Sequence, residues 1–312
     1  MRLLDPGLRA YVKVPATSAN LGPGFDALGL ALDWFDTSKV TTTNSGFTFD
    51  LSGPQSKSLS RGKDHLVVAT LLGALEELGA QVSGLHFESE PTIPLARGLG
   101  SSSAAIVAGL LLAWDLANPG EPLDRQWAFT HAYNLEGHGD NVGPATMGGF
   151  TITWSTQFEG AGDSVARVQT SPVRADIRAL ALIPSFELQT NSARAVLPVA
   201  IPMADAIANA ARSALLVHAM ADDPSLLFDA TADRVHQNYR ADLSPESFSL
   251  LSKLRDEGFA AVISGAGPTV LVLHQEKQTE ALLRSVANHD PARSFASRVL
   301  RAGEGAQILR AE

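Results

Sequence analysis

The sequence predicts an α+β protein with two domains, and three observations support this prediction. The chain has 312 residues, which is more than the roughly 100–200 residues of one typical domain. Hydrophobic residues make up 45% of it, enough apolar material for a sizeable core. Antiparallel strand patterns are interleaved with helices, rather than following a regular βαβ alternation, and this favours an α+β over an α/β fold.

The first half of the chain contains strand and helix patterns in turn. Residues 11–15, 37–43 and 47–51 read as strands, and the turn sequence at residues 44–46 gives the fold an antiparallel opening. We expect Asp64 to cap a helix that runs to about Leu78. The other elements expected here are a strand at 84–90, helices at 101–116 and 122–137, and strands at 148–154 and 165–170. The helix at 101–116 is so apolar that it must be buried on nearly all sides.

The second half begins after a polar stretch that Pro172 closes. The domains are therefore expected to span residues 1–170 and 171–312. The expected elements are a strand at 177–183, helices at 204–220 and 245–257, strands at 259–264 and 269–274 around a glycine turn, and a helix at 276–286. The polar run at 288–290 and the following proline end that last helix.

The composition argues against nucleic acid and membrane surfaces as partners. The chain carries 24 Lys and Arg against 33 Asp and Glu, a net charge of −9, so its overall field does not attract phosphate backbones or anionic lipids. It has no cysteine, which excludes disulfides, a thiolate nucleophile and a cysteine zinc site. The apolar run at 104–114 is shorter than the ~20 residues of a membrane span, and residues 1–10 lack an apolar signal core. We expect a soluble, cytoplasmic protein.

A glycine- and serine-rich loop before the apolar helix is the strongest local signal. A loop that enters a helix directly leaves backbone N–H groups unpaired and directs the positive end of the helix dipole at one place, which suits a phosphate. The alternative is an N-capped core helix, although three serines exceed what one cap needs. Neither the P-loop nor the dinucleotide spacing is present. The expected phosphate-binding residues are Pro94, Leu95, Ala96, Arg97, Gly98, Leu99, Gly100, Ser101, Ser102, Ser103 and Ala104.

Three further polar turns carry groups suited to binding. Residues 15–26 include Asn20 and Asp26, and alone they would read as a hairpin loop. Residues 136–141, Glu-Gly-His-Gly-Asp-Asn, place oxygen ligands of the kind that Mg²⁺ prefers at a helix end; the alternative is a solvated helix C-terminus. Residues 263–269, Ile-Ser-Gly-Ala-Gly-Pro-Thr, form a glycine turn between two apolar strands.

Together these segments resemble the motifs of the GHMP kinase superfamily, named after galactokinase, homoserine kinase, mevalonate kinase and phosphomevalonate kinase. They occur in the family's order, with the glycine–serine loop as the second motif and residues 264–269 as the third. Within it, residues 15–26, 136–142 and 193–198 are similar to the homoserine kinases. The resemblance implies an N-terminal ribosomal-S5-domain-2-like domain and a C-terminal ferredoxin-like domain.

The resemblance also implies a ligand for each part of the site. ATP would bind with its phosphates over the glycine–serine loop, and Ser102 and Glu136 would hold Mg²⁺. The acceptor would be L-homoserine, whose carboxylate suits bidentate recognition by arginine. The residues implied around the acceptor are Asn20, Asp26, Asp140, Asn141, Thr190, Arg194 and Arg240. The expected catalytic residues are Asn141, Glu136, Ser102 and Arg194.

Asn141 stands where mevalonate-type relatives have a carboxylate base. An amide cannot take a proton, so we expect transfer without a side-chain base, with the hydroxyl proton leaving late. Two departures from the family pattern are Gly139, in place of a proline, and His65, where relatives often have asparagine near the nucleoside. The alternatives are another GHMP small-molecule kinase, of mevalonate or shikimate type, and a nucleotide-binding protein of this fold without turnover. A homodimer is compatible with the sequence, which does not identify a dimer surface.

Overall fold

A computed structural model describes residues 1–53, 55–156, 165–188 and 190–310. The strands are β1 (Arg2–Leu3), β2 (Arg9–Ala19), β3 (Leu28–Thr43), β4 (Gly46–Leu51), β5 (Ala80–Gln81), β6 (Gly84–Glu90), β7 (Phe150–Thr156), β8 (Val165–Ser171), β9 (Ile177–Pro184), β10 (Ala260–Ile263), β11 (Val270–Gln275), β12 (Phe295–Leu300) and β13 (Gln307–Ile308). The α-helices are α1 (Leu66–Glu77), α2 (Ser101–Ala117), α3 (Arg125–Glu136), α4 (Val142–Met147), α5 (Thr190–Ala195), α6 (Met203–Ala221), α7 (Leu227–Ala230), α8 (Pro245–Asp256) and α9 (Thr279–His289).

The first sheet has the strand order β13-β2-β3-β6-β4, with β7 paired to β3 and β8 paired to β7. The predicted strands at 37–43 and 47–51 exist and the opening is antiparallel in that β2 pairs with β3, but the two strands that flank the turn at 44–46 do not pair with each other. β6 lies between them, antiparallel to β3 and parallel to β4. The turn signal fixes where the chain leaves β3 and does not decide which strand pairs with it. β6 takes that place because Leu85 and Phe87 bury their side chains in the core.

The predicted apolar helix is confirmed as α2, which packs against α1, α3 and β2 with most of its side chains buried. Gly109 sets its distance from α1, since a Cβ there would lie 2.6 Å from the carbonyl oxygen of Val67. The predicted cap of α1 is wrong. The N-cap residue is His65, without a side-chain cap, because residues 62–65 form a turn before the helix, in which the N–H of His65 donates to the carbonyl of Gly62 at 3.0 Å.

The second sheet has the antiparallel order β10-β11-β9-β12. With α8 before β10 and α9 before β12, the chain order is β-α-β-β-α-β, which is ferredoxin-like. β9 is buried along its whole length because its alternate residues serve two cores. Leu180 and Leu182 belong to the cluster with α8 and α9, whereas Ala179 and Ala181 belong to the larger cluster of the rest of the molecule.

The C-terminal part of the chain returns to the first sheet. β8 ends in the first sheet at Ser171 and β9 opens the second at Ile177, so the sheets change close to the division proposed at residue 170. However, β13 pairs with β2, and Ala306 donates its N–H to the carbonyl of Ala145 in α4. Within the described residues, none of the helices combines the length and the apolar character needed to cross a lipid bilayer.

Two glycine-to-alanine substitutions in this helix pair are expected to act in opposite directions. Gly73 lies on the exposed side of α1 with nothing within 4 Å of a Cβ, so Gly73→Ala should stabilise the fold by up to about 1 kcal/mol. Gly109→Ala should destabilise it by about 1–3 kcal/mol, because α1 and α2 must move apart. Urea unfolding followed by circular dichroism measures both. Equal effects of the two substitutions would show that Gly109 does not control the helix spacing.

Candidate active site

A cavity of about 280 Å³ lies where the glycine-rich turns meet. Its wall brings together most of the residues predicted from the sequence: Asn20, Asp26, Ala96, Arg97, Gly98, Gly100, Ser101, Ser102, Ser103, Glu136, Asp140, Asn141, Arg194 and Arg240. Of the other predicted residues, Leu95 and Ala104 line a neighbouring cavity. Leu99 is buried in the core, and Thr190 opens α5 with a side chain that lies outside the described residues.

The glycine–serine loop enters α2 through a left-handed residue. Gly100 is the N-cap residue of α2 with φ 68°, and no side chain caps the helix. The N–H groups of the first turn, which begins at Ser101, are therefore available to an anion at the cavity wall. Arg97 does not add a free charge there, because its guanidinium donates to the carbonyls of Leu95, Pro184 and Ser185.

The third glycine turn, residues 263–269, holds the glycine–serine loop next to the end of β2 through hydrogen bonds. Ser264 Oγ donates to the carbonyl of Gly98 at 2.6 Å and lies 2.8 Å from the hydroxyl of Ser18. A Cβ on Gly98 would lie 2.2 Å from the carbonyl oxygen of Ser264, so this contact requires glycine. Asn20 Nδ2 donates to the carbonyl of Gly265 at 2.9 Å. The three motifs, distant in sequence, are thus joined by direct contacts.

Asp26 and Arg194 form a two-point ion pair on the cavity wall, with N–O distances of 2.8 and 3.0 Å. The hydrogen bond from Arg194 to Asp26 raises the pKa of that guanidinium. Asp26 is also held by its backbone, whose N–H donates to Asn20 Oδ1, and both residues have positive φ angles of 57° and 68°. Such strained backbone persists where the surroundings fix it, so the carboxylate has a defined position.

The second arginine of the cavity, Arg240, is held from behind by buried groups. It is 4% exposed, and its Nε donates to the carbonyl of Ala193 at 3.0 Å. His236 Nε2 donates to the carbonyl of Gly22, which leaves Nδ1 to accept from Arg240 Nη1 at 3.0 Å. Burial lowers the pKa of His236, so this imidazole is neutral. Burial and the charge of Arg194 lower the pKa of Arg240 itself.

The acidic groups at the end of α3 are oriented by neighbours. Ser103 Oγ donates to Glu136 Oε1 at 3.0 Å, and His138 Nδ1 lies 2.6 Å from Asp140 Oδ1. Burial disfavours the charged imidazole of His138, but the hydrogen bond and charge of Asp140 outweigh it and raise the pKa of His138. Asp26, His138 and Asp140 form a cluster whose polar atoms lie within 4.8 Å of one another.

Asn141 is placed by two contacts from the first sheet. Thr17 Oγ1 donates to its Oδ1 at 2.7 Å. Gly29 leaves room for the backbone of Asp140, since a Cβ there would lie 1.8 Å from the carbonyl oxygen of Asp140. The turn that carries Gly139 is therefore fixed by β2 and β3.

A second cavity, of about 330 Å³, adjoins the first turns of α2. It shares Ala96, Ser101 and Ser102 with the first cavity. His65 lines it and packs against Phe87 with ring centroids 4.8 Å apart. Both ring nitrogens of His65 are buried and have no hydrogen-bond partner among the described residues, and burial lowers its pKa.

Sequence reasoning gave no role to three residues that orient this site: Thr17, His236 and Ser264. Thr17 and Ser264 lie in motifs that the sequence identifies, and Ser103 was predicted as a phosphate-binding residue, although its hydrogen bond to Glu136 was not. Thr17 and His236 touch partners more than 100 positions away along the chain, so no local spacing could have indicated their contacts.

Two family patterns match this chain. The pattern described as GHMP kinases N terminal domain matches residues 65–149, and the one described as GHMP kinases C terminal matches residues 204–292. Among curated proteins, the homoserine kinase of Streptomyces coelicolor is 44% identical over 311 residues, which is 98% of this chain and 97% of that protein. The homoserine kinase of Streptomyces avermitilis is 44% identical over 286 residues, 90% of this chain and 92% of that protein.

Solved structures agree over nearly the full length. Homoserine kinase from Cytophaga hutchinsonii superposes with a TM-score of 0.81 at 26% identity, covering 96% of this chain and 97% of that one. Mevalonate diphosphate decarboxylase from Enterococcus faecalis, at 15% identity and a TM-score of 0.64 over 97% of this chain and 99% of that one, shares the fold alone. The predicted two-domain α+β architecture is confirmed, and the chain belongs to the GHMP kinase family, in which the curated relatives that resemble it are homoserine kinases.

Proposed function

We propose that this chain transfers the γ-phosphoryl group of ATP to the side-chain hydroxyl of L-homoserine, which yields O-phospho-L-homoserine for threonine biosynthesis. The observation that carries the proposal is one cavity whose wall includes Arg194, Arg240, carboxylate and amide side chains and the open N-terminus of α2. Each of these groups is chemically complementary to a part of one of the two substrates. The curated homoserine kinases align with almost the whole chain, which supports the same acceptor.

The acceptor end of the cavity suits a zwitterion. Arg240 is held rigidly by His236 and by the carbonyl of Ala193, and a rigid guanidinium suits a carboxylate. Arg194 and Asp26, which pair with each other, would exchange that contact for the carboxylate and the ammonium of the amino acid. An acceptor without an amino group, such as mevalonate or shikimate, would leave Asp26 without this partner.

The nucleotide would lie across the first turn of α2. Its phosphates would accept hydrogen bonds from the N–H groups that Gly100 leaves uncapped, in the cavity that also holds the acceptor. Its nucleoside would occupy the second cavity, which meets the first at Ser101 and Ser102. Because the two cavities share these residues, a nucleotide that spans them would have its transferable phosphate next to the acceptor.

The residues present fit Mg²⁺ by the chemistry of their donor atoms. Ser102 and Glu136 line the same cavity with a hydroxyl and a carboxylate, which are oxygen ligands of the kind Mg²⁺ prefers. Ser103 holds Glu136 through its hydroxyl. When bound, the cation would neutralise charge on the phosphates.

The transfer depends on positioning more than on proton removal by a side chain. Asn141 would orient the hydroxyl, and its amide cannot take a proton. Asp140, the nearest carboxylate along the chain, is engaged by His138. The hydroxyl proton would leave late, toward the phosphate. The cytoplasmic location and the homodimer stay predictions.

The direct test is ADP release by the purified protein with ATP and Mg²⁺. We expect release with L-homoserine and background release with mevalonate, shikimate or no acceptor. Release with one of the other acceptors would replace the proposed substrate. Nucleotide binding without any release would indicate a protein of this fold that lacks turnover.

Arg194→Ala should raise the KM for L-homoserine about tenfold or more, because one of two carboxylate ligands is lost. The KM for ATP should stay within about twofold, since Arg194 lies on the wall of the first cavity and not of the second. Steady-state kinetics with each substrate varied in turn measures both constants. Equal increases in both would remove Arg194 from the acceptor site.

Ala105→Leu tests the second cavity in the way that Arg194→Ala tests the first, because Ala105 is part of its wall. The larger side chain should occupy part of the space proposed for the nucleoside, and the KM for ATP should rise about tenfold. The KM for L-homoserine should stay unchanged in the same assay. An unchanged KM for ATP would place the nucleoside elsewhere.

A further inference from the structure

Thr17 lies behind the wall of the active-site cavity, near the end of β2. It is fully buried, at 0% exposed, and does not line the cavity. Its hydroxyl donates to Asn141 Oδ1 at 2.7 Å, and its backbone N–H donates to the carbonyl of Leu99 at 3.1 Å. One residue thus contacts both the phosphate-binding loop and the side chain at the expected reaction centre.

The side chain of Asn141 does not perform its usual local task. Asn141 is the N-cap residue of α4, where an asparagine oxygen normally accepts an N–H of the first helical turn. Here it makes no side-chain cap bond, and Oδ1 accepts from Thr17 instead. The amide nitrogen, which can only donate, is the polar atom left for the cavity that Asn141 lines.

Gly100 packs over this pair. A Cβ at Gly100 would lie 1.9 Å from Thr17 Oγ1 and 3.1 Å from Asn141 Oδ1. The residue that opens α2 toward the phosphates therefore also encloses the hydrogen bond between the hydroxyl and the amide. A side chain at residue 100 would therefore displace the Thr17 hydroxyl.

We propose that Thr17 is a positioning residue whose hydroxyl holds the Asn141 amide with its N–H group directed at the hydroxyl oxygen of the acceptor. While Oδ1 accepts from Thr17, the amide presents its N–H group and not its oxygen to the acceptor hydroxyl. The assignment rests on the proposed function only for the identity of the acceptor, since the contact itself belongs to the fold.

Thr17→Val keeps the shape of the side chain and removes the hydroxyl, whereas Thr17→Ser keeps the hydroxyl. The valine variant should lose about tenfold to a hundredfold in kcat, because a misplaced group next to the reaction costs rate. Its KM values for ATP and L-homoserine should stay within about threefold, and the serine variant should recover most of the kcat. A valine variant with normal kcat, or a serine variant as slow as the valine one, would overturn the assignment.

Two controls distinguish a positioning role of Thr17 from an effect on the stability of the fold. In an Asn141→Ala background, Thr17→Val should cause no further loss of kcat, because its partner is already absent. Thr42→Val removes another buried hydroxyl, one that donates to the carbonyl of Asp5 at 2.7 Å far from the cavity, and should leave kcat unchanged. A further loss in the double variant, or an equal loss with Thr42→Val, would show that Thr17 acts through stability alone.

A spectroscopic measurement tests the contact without turnover. The side-chain amide resonances of Asn141, assigned by their loss in Asn141→Ala, should be present in the wild type and in Thr17→Ser. They should shift or broaden in Thr17→Val. Unchanged resonances would overturn the assignment even if the acceptor proves to be another molecule, whereas absent turnover with L-homoserine in the wild type would contradict only the proposed function.

Discussion

The site depends on three places where main chain approaches another segment so closely that a Cβ has no room. Gly98 meets the carbonyl of Ser264, Gly100 meets the hydroxyl of Thr17, and Gly29 meets the carbonyl of Asp140. These contacts join five chain segments: β2, β3, the glycine–serine loop, the turn at the end of α3 and the third glycine turn. The spacing of the functional side chains around the cavity therefore depends on backbone packing as well as on the ion pairs between them.

Arg194 and Arg240, the two cavity arginines proposed for the acceptor, differ in how firmly they are held. Arg240 is buried and bound on its inner side by His236 and a carbonyl, while Arg194 is about half-exposed and bound to a single carboxylate. A cation of the first kind gives a fixed direction, and a cation of the second kind can exchange its partner at little cost. The cavity thus contains one cation that is held rigidly, Arg240, and one that can exchange its partner, Arg194.

The sequence was sufficient to predict the elements whose signal is local. The apolar composition of α2 predicts a buried helix, and the glycines before it predict an open helix N-terminus; both are confirmed. The position of β6 between β3 and β4 was not predictable, because it is decided by burial across the sheet. The hydrogen-bond partners of Thr17 and His236 could not be predicted either, because they lie in distant segments of the chain.

The C-terminal return of the chain has a consequence for how this protein matures during translation. α4, which follows Asn141, is held from outside by Ala306, and Arg125 donates to the carbonyl of that residue at 2.9 Å. About 130 residues separate the end of β8 from this anchor, which at ribosomal speed is a delay on the order of ten seconds. For that period a nascent chain would have a first sheet that lacks β13, with α4 not yet held by Ala306. Chaperone contacts in this interval would meet the open edge of β2 that β13 later covers.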